Sequence, residues 1–242
     1  MTTPQKLVYI LWPSNGQLIT AVPRQLLQEC APALLALGVG KLTMNIDDEH
    51  STVPSPAPKM HRGPGICAQV SVWLDTLEKQ AAVEKILSAT GLQMAGYLVE
   101  ESVYKSYGDN RHSGPRNWPD GERSPGVMAI TLLTKPKRYS HEEWIRRWHG
   151  VMSPESEKIQ PRQRYVRNVI IRPVTEGAPH YDGIVEEAWP SAQHITNPYL
   201  FYCADNTLQL VRNMLKMLRC ILHFHDFHKI RTVTMSEYFI KS

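Results

Sequence analysis

Apolar and polar positions change rhythm several times along the chain, and each change marks an element. In the carboxy-terminal half the reading starts at Gly126, where "GVMAITLLT" has the β-branched and apolar composition of a strand. "KPKRYS" leads into a helix whose start is fixed by a capping box, Ser140 with Glu143. "RYVRNVIIRP" reads as a second strand stopped by Pro173, and "DGIVEEAW" as a third stopped by Pro190. From Thr207 the residues Leu208, Val211, Met214, Leu215, Leu218 and Ile221 recur at steps of three and four, the period of a helix with one apolar face. "RTVTMSEYFI" is a closing strand. The order is β-α-β-β-α-β, a ferredoxin-like split unit.

The amino-terminal half repeats that order with weaker signals. Strands are expected at 7–12, 41–47, 66–74 and 97–105, and helices around 23–37 and at 77–88. The final strands of the two halves rhyme, "YLVEESVYK" against "TVTMSEYFIK", and the pattern is that of a degenerate internal duplication. It divides the chain into a unit at 1–107, a linker at 108–125 rich in turn-forming residues, and a unit at 126–242. A second Pro- and Gly-rich segment, 48–65, interrupts the first unit; such loops serve either as lids or as surface insertions.

A four-stranded antiparallel sheet with both helices on one face leaves the other face bare, and that face must be buried. Two such units packed sheet to sheet make an α+β barrel. Its polar-lined lumen is the expected place for a small molecule. The barrel closes either within one chain or by pairing of like units between chains, which yields a homodimer.

Composition and charge narrow the partners. A formal charge of +4 with no Lys/Arg tract points away from nucleic acid and is compatible with a small anionic substrate. The apolar run Leu7 to Trp12 is too short for a signal-peptide core or a membrane span. Cys30, Cys67, Cys203 and Cys220 form no C-x-x-C pair and read as buried thiols of a cytoplasmic protein. There is no G-x-G-x-x-G after a strand, no Walker motif, no G-x-S-x-G and no H-E-x-x-H. These absences point away from nucleotide-dependent chemistry and from a serine hydrolase, and they fit proton transfer by side chains alone.

Four motifs of the second half carry a family likeness. They are Trp144 to His149 with Gly150, Arg164 to Asn168, Tyr181 to Gly183 with Glu186, and Phe224 to Asp226 ahead of a strand containing Glu237. In this order they resemble the EthD-like family of dimeric α+β barrel proteins over residues 126–242. That family typically shows W-x-x-x-H-G-P, R-Y-V-x-N, Y-D-G and F-x-D. Four residues rather than three separate Trp144 from His149, Val151 stands where the usual proline would be, and the first half lacks the W-x-x-x-H-G and Y-D-G runs. The resemblance implies a cofactor-independent barrel acting on aromatic or polyketide-like compounds as a decarboxylase, dehydratase or cyclase. A cofactor-free monooxygenase, a haem-handling barrel or a non-catalytic accessory protein are the alternatives.

The side chains that could serve such chemistry lie on the helix end and on two strands. His149, at the edge of an apolar arc with Trp144, Ile145 and Trp148, is expected either at the rim of the lumen as a proton carrier or at the helix end binding a carbonyl. Asp182 and Glu186, four apart, share one strand face and offer an acid/base pair, with a turn-capping role as the plainer account of Asp182. Glu187 points to the opposite face. Arg164 and Asn168 share a face of their strand and could hold a carboxylate or oxyanion, and Tyr165 and Arg167 lie on the other. Tyr181 is a further binding residue, whereas Arg162 and Arg172 read as charges at strand ends. "HFHDFHK", residues 223–229, offers a histidine pair at best and no metal triad.

Overall fold

A computed structural model describes residues 4–14, 19–56, 65–226 and 229–242. Among them eight strands form one closed ring: β1 (Gln5–Trp12), β2 (Leu42–Ile46), β3 (Ala68–Leu74), β4 (Gln93–Lys105), β5 (Val127–Leu133), β6 (Arg164–Pro173), β7 (Gly183–Trp189) and β8 (Arg231–Lys241). The ring order is β1-β3-β2-β8-β5-β7-β6-β4, with all neighbours antiparallel. The first half contributes the arc β4-β1-β3-β2 and the second the arc β8-β5-β7-β6, so the strands follow the same order twice. Seams β2–β8 and β4–β6 join the arcs. The barrel therefore closes within a single chain.

Helical segments cover the outside. In the first half these are α1 (Val22–Arg24), a π-helical turn (Gln25–Cys30), α2 (Ala31–Ala36) and α3 (Gln80–Ser88). In the second half α4 (His141–Arg147) starts at the Ser140 cap, whose hydroxyl accepts from the Glu143 N–H at 3.1 Å. The helix does not exit at His149-Gly150. It continues through a π-helical turn (Trp148–Met152) into α5 (Ser153–Glu157). Val151 keeps the backbone N–H that a proline would lack, so nothing breaks the helix there. Two short helices, α6 (Gln193–Thr196) and α7 (Pro198–Phe201), precede α8 (Thr207–Phe224) and left no clear periodic signal.

The period of two sorts the side chains cleanly between faces. Leu7, Tyr9 and Leu11 point outward and pack with Val22, Leu26, Leu34, Val83 and Leu87 under the first-half helices. Val8 and Ile10 point inward and meet Tyr97, Val99, Met128, Ile130, Ile184 and Met235 from both arcs. These inward residues are almost wholly buried. The lumen, expected to be a binding space, is thus a packed core: of the two contents an eight-stranded ring admits, side chains or one small ligand, these inward residues supply the first. The outer layer of the second half is built differently, from two separate clusters. One holds Leu133, Trp144, Trp148, Tyr165, Val185 and Phe224, the other Val127, Ala129, Trp189 and Ile195.

The expected linker is pinned to β8. The Gly121 N–H donates to the Phe239 carbonyl at 2.6 Å and the Ser124 N–H to that of Glu237 at 2.7 Å, while Trp118 sets its edge against Tyr107. Residues 57–64 of the expected lid, and Phe227 and His228 of the histidine-rich stretch, lie outside the described residues. No described helix is long and apolar enough to cross a membrane. All four cysteines are free thiols.

Gly183 of the Y-D-G run has a packing reason. A Cβ there would fall 2.8 Å from Cζ3 of Trp148 and 3.1 Å from Cη2 of Trp144, both fully buried rings. Gly183→Ala should cost about 1–3 kcal/mol through overpacking and lower the melting temperature in calorimetry. An unchanged Tm would show that the two indoles yield without cost.

Candidate functional site

Two polar groupings stand out, one on each face of the second-half sheet. The first crosses the lumen. Glu186 on β7 is buried and accepts from Gln69 Nε2 on β3 at 2.9 Å, Asn168 Nδ2 on β6 at 3.0 Å, Lys6 Nζ on β1 at 3.2 Å and an Arg164 guanidinium nitrogen on β6 at 3.2 Å. Lys6 also meets Glu101 at 2.6 Å. Arg164 also donates to Glu237 on β8 at 2.9 Å, and the Tyr107 hydroxyl donates to the same carboxyl at 2.8 Å. Burial alone would raise the pKa of Glu186, but Lys6, Arg164 and the Gln69 bond outweigh it and hold the group at about 2. Glu237 goes the other way, raised by burial against the pull of Arg164 and Tyr107. Three carboxylates thus share two cations, and the excess is relieved when Glu237 carries a proton.

The second grouping lines a pocket of about 450 Å³ between α8 and the outward face of the sheet. Its floor is Thr131, Leu133, Tyr165, Val185 and Glu187, and its roof is the α8 face of Met214, Met217, Leu218 and Ile221. Trp148 and Phe224 close one end, Phe201 and Tyr202 another. The wall is apolar apart from a few placed groups, the usual constitution of a small-molecule site. Chief among these is Glu187, whose carboxylate accepts from Arg162 at 2.6 Å. Arg162 is only 1% exposed, donates also to Ser156 at 2.7 Å, and lies 4.1 Å over the Tyr165 ring. Tyr165 is fixed in turn, its hydroxyl accepting from Trp148 Nε1 at 3.0 Å and from the Ser153 hydroxyl at 3.3 Å.

The sequence-expected residues divide three ways. Glu186, Arg164 and Asn168 come together, but in the filled lumen and as members of the ion network, with Asn168 also donating to the Ile184 carbonyl. Tyr165 and Arg167 face outward. Tyr165 enters the pocket wall, while Arg167 donates to Ser153 at 3.1 Å and Ser102 at 2.7 Å beside it. His149 does not reach the lumen rim. It is half-buried in the outer layer with its edge on Trp148, its Nε2 has no hydrogen-bond partner, and burial with the nearby Arg167 lowers its pKa to about 4. It is outside the pocket lining and neutral over the physiological range. Asp182 accepts from the Lys135 N–H at 2.7 Å and so ties the start of β7 to the loop after β5, the turn-capping role. Tyr181 packs edge-on against Tyr97 at the barrel end.

Sequence reasoning passed over Lys6, Gln69, Arg162 and the pocket role of Glu187. For Glu187 the signal was present, since alternation places it opposite Glu186 on β7; what was missing is which face holds the cavity. Arg162 is corrected from a strand-end charge to a buried cation, because Glu187, Ser156 and Glu157 surround its guanidinium. His225 caps α8 as an extended residue, deeply buried, its pKa lowered to about 4 by burial against Asp226. Among the described residues no group of three or more His, Cys, Asp or Glu side chains is arranged to hold a metal.

No family model matches the chain, and no curated protein matches it either. Solved structures do, and they are α+β barrel proteins. An anthrone oxidase-like protein is 11% identical with a TM-score of 0.56, covering 98% of this chain and 94% of its own. A Fusobacterium nucleatum protein described provisionally as a monooxygenase is 6% identical with a TM-score of 0.50, covering 99% and 94%. Such identities establish the architecture, a closed eight-stranded antiparallel α+β barrel, and no activity.

The two buried glutamates should respond oppositely to neutralisation. Glu186, depressed in the fold, contributes stability that is present above pH 4.5, the ordinary glutamate value, and is lost as pH falls toward about 2. Glu186→Gln should therefore destabilise at pH 7, by about 3 kcal/mol as for a broken buried pair. Glu237, raised in the fold, carries a cost that grows as pH rises from 4.5 through its folded pKa. Glu237→Gln should raise Tm at pH 7 and lose that advantage near pH 4. Chemical denaturation of both variants across this range tests the signs; a loss of stability from both at pH 7 would reject the shared-proton account.

Proposed function

We propose that the protein is a cofactor-independent enzyme that binds an aromatic or polyketide-like small molecule in the pocket under α8. Glu187 is its proton acceptor. The observation that carries this reading is a carboxylate set in the wall of a largely apolar cavity and held there by a buried arginine. A flat ring fits among Trp148, Tyr165 and Phe224 by stacking and burial, and the methionines of α8 adapt to its outline. Glu187 then takes a proton from an acidic ring carbon. The electron pair left behind delocalises into the ring system and expels a leaving group from the adjacent carbon, the lyase course that the EthD-like resemblance implies. A wall with little polar surface strengthens the transfer by keeping water away.

The names of the structural neighbours favour a second course from the same carbanion. One is called anthrone oxidase-like and the other is described as a monooxygenase. On that course dioxygen is the co-substrate and oxidant: one oxygen atom becomes a carbonyl on the deprotonated ring carbon, and the other leaves as water with the two hydrogens of that carbon. We read residues 1–107 as a degenerate ferredoxin-like unit and 126–242 as its EthD-like counterpart, joined by 108–125. The repeated strand order and the four motifs support this division. His149 and Arg167 keep a positioning role, packed behind Trp148 and Ser153.

Anthrone supplies a direct test, with quenching of indole fluorescence as the binding signal. Met217→Trp should fill the pocket and weaken binding at least tenfold. Glu187→Gln should leave the dissociation constant within about threefold and lower turnover by about 100-fold or more. Anthrone carries no group to eliminate, so oxygen uptake with it reports the monooxygenase course. Full turnover by Glu187→Gln would remove Glu187 from the chemistry, and binding that survives Met217→Trp would place the ligand elsewhere.

A further inference from the structure

Alongside the turns of α8 that roof the pocket runs an exposed apolar stripe with no partner among the described residues. Leu208, Val211, Leu215, Leu218 and Leu222 recur at steps of three, four, three and four, and with Met214 they are between 43 and 81% exposed. The residues that do bury themselves, Leu210, Met217 and Phe224, lie on another side of the helix. Exposed aliphatic residues at this spacing are what a knobs-into-holes seam requires of its partner helix. A folded monomer rarely keeps a patch of this kind.

We infer that this stripe is the contact by which two copies of the chain associate, α8 against α8 across a two-fold axis. Three observations select a second copy over other occupants. The seam is centred on Leu215 and spaced so that a copy of itself is a matching surface, the condition for an isologous contact. The helix spans 18 residues, and pairing two stripes would remove on the order of 1,200 Å² from water, the lower bound of a stable interface. The stripe is wholly aliphatic and carries none of the exposed Trp or Phe that anchors a membrane-surface helix. Arg212 and Arg219 flank it and have no acidic partner among the described residues. The contact is distinct from the sheet seams, which each chain closes for itself. Met214, Leu215 and Leu218 also line the pocket, so the partner copy would brace the pocket's outer wall.

The inference does not depend on the proposed chemistry. Sedimentation velocity of the full chain at about 50 µM should show a dimer that persists or tightens from low to high salt, as expected for an apolar contact flanked by like charges. Leu208→Glu combined with Leu222→Glu changes two exposed positions outside the pocket lining. This variant should sediment as a monomer with an unchanged circular dichroism spectrum, its dimer affinity reduced at least 100-fold. Val211→Gln provides a milder change should the double variant fail to fold, and should weaken the dimer at least tenfold. A monomeric wild-type protein, or variants that dimerise as tightly as wild type, would overturn the inference. So would a wild-type monomer that floats with phosphatidylserine vesicles at low salt and is released at high salt, which would assign the stripe to a lipid surface.

Discussion

The structure depends on one buried network, the ion pairs that Lys6, Arg164, Glu186 and Glu237 make across the lumen. Its members come from both arcs of the ring, β1 and β3 on one side and β6, β7 and β8 on the other. Glu186 could not remain charged in the interior without Lys6 and Arg164, nor they without it, since a buried charge deprived of its partner costs several kcal/mol. Pairing therefore ties the packing of one half to the presence of the other. Closure follows at the two seams, where β2 meets β8 and β4 meets β6.

Filling the lumen decides where a ligand can go. With the inner face occupied by ion pairs at one level and by Val8, Ile10, Met128, Ile130 and Ile184 at another, the remaining space lies on the outer face. The halves differ there. The first-half helices sit directly on the sheet and share one continuous cluster with it. In the second half α8 contributes only Phe224 to the two clusters on the sheet, in the one around Trp148, and the pocket lies beneath the helix. Both halves thus keep the same strand order, and the pocket lies on the second.

Much of this was legible in the chain. Strand alternation and the three- and four-residue steps from Leu208 located the strands and the long helix, because those periods follow from backbone geometry alone. The capping box at Ser140 fixed one helix start for the same local reason. Faces were sorted correctly too: Glu186 with Ile184 on one side of β7, Glu187 and Val185 on the other. Which face leaves an open cavity was not legible. It turns on whether side chains fill the ring, a sum over strands distant in sequence. His149 shows the same limit, since its place on the helix was readable but its distance from any cavity was not.

What the sequence determined by itself was the succession of elements, the doubling of that succession and the two-sided character of each strand, all of them consequences of local pattern. Tertiary structure alone decided that the ring closes in one chain, that Glu186 is locked among Lys6, Gln69, Asn168 and Arg164, and that Glu187 borders the open space. The reason is physical: whether a carboxylate is a structural anchor or an available base depends on the charges and volume around it, and residues far apart along the chain supply both.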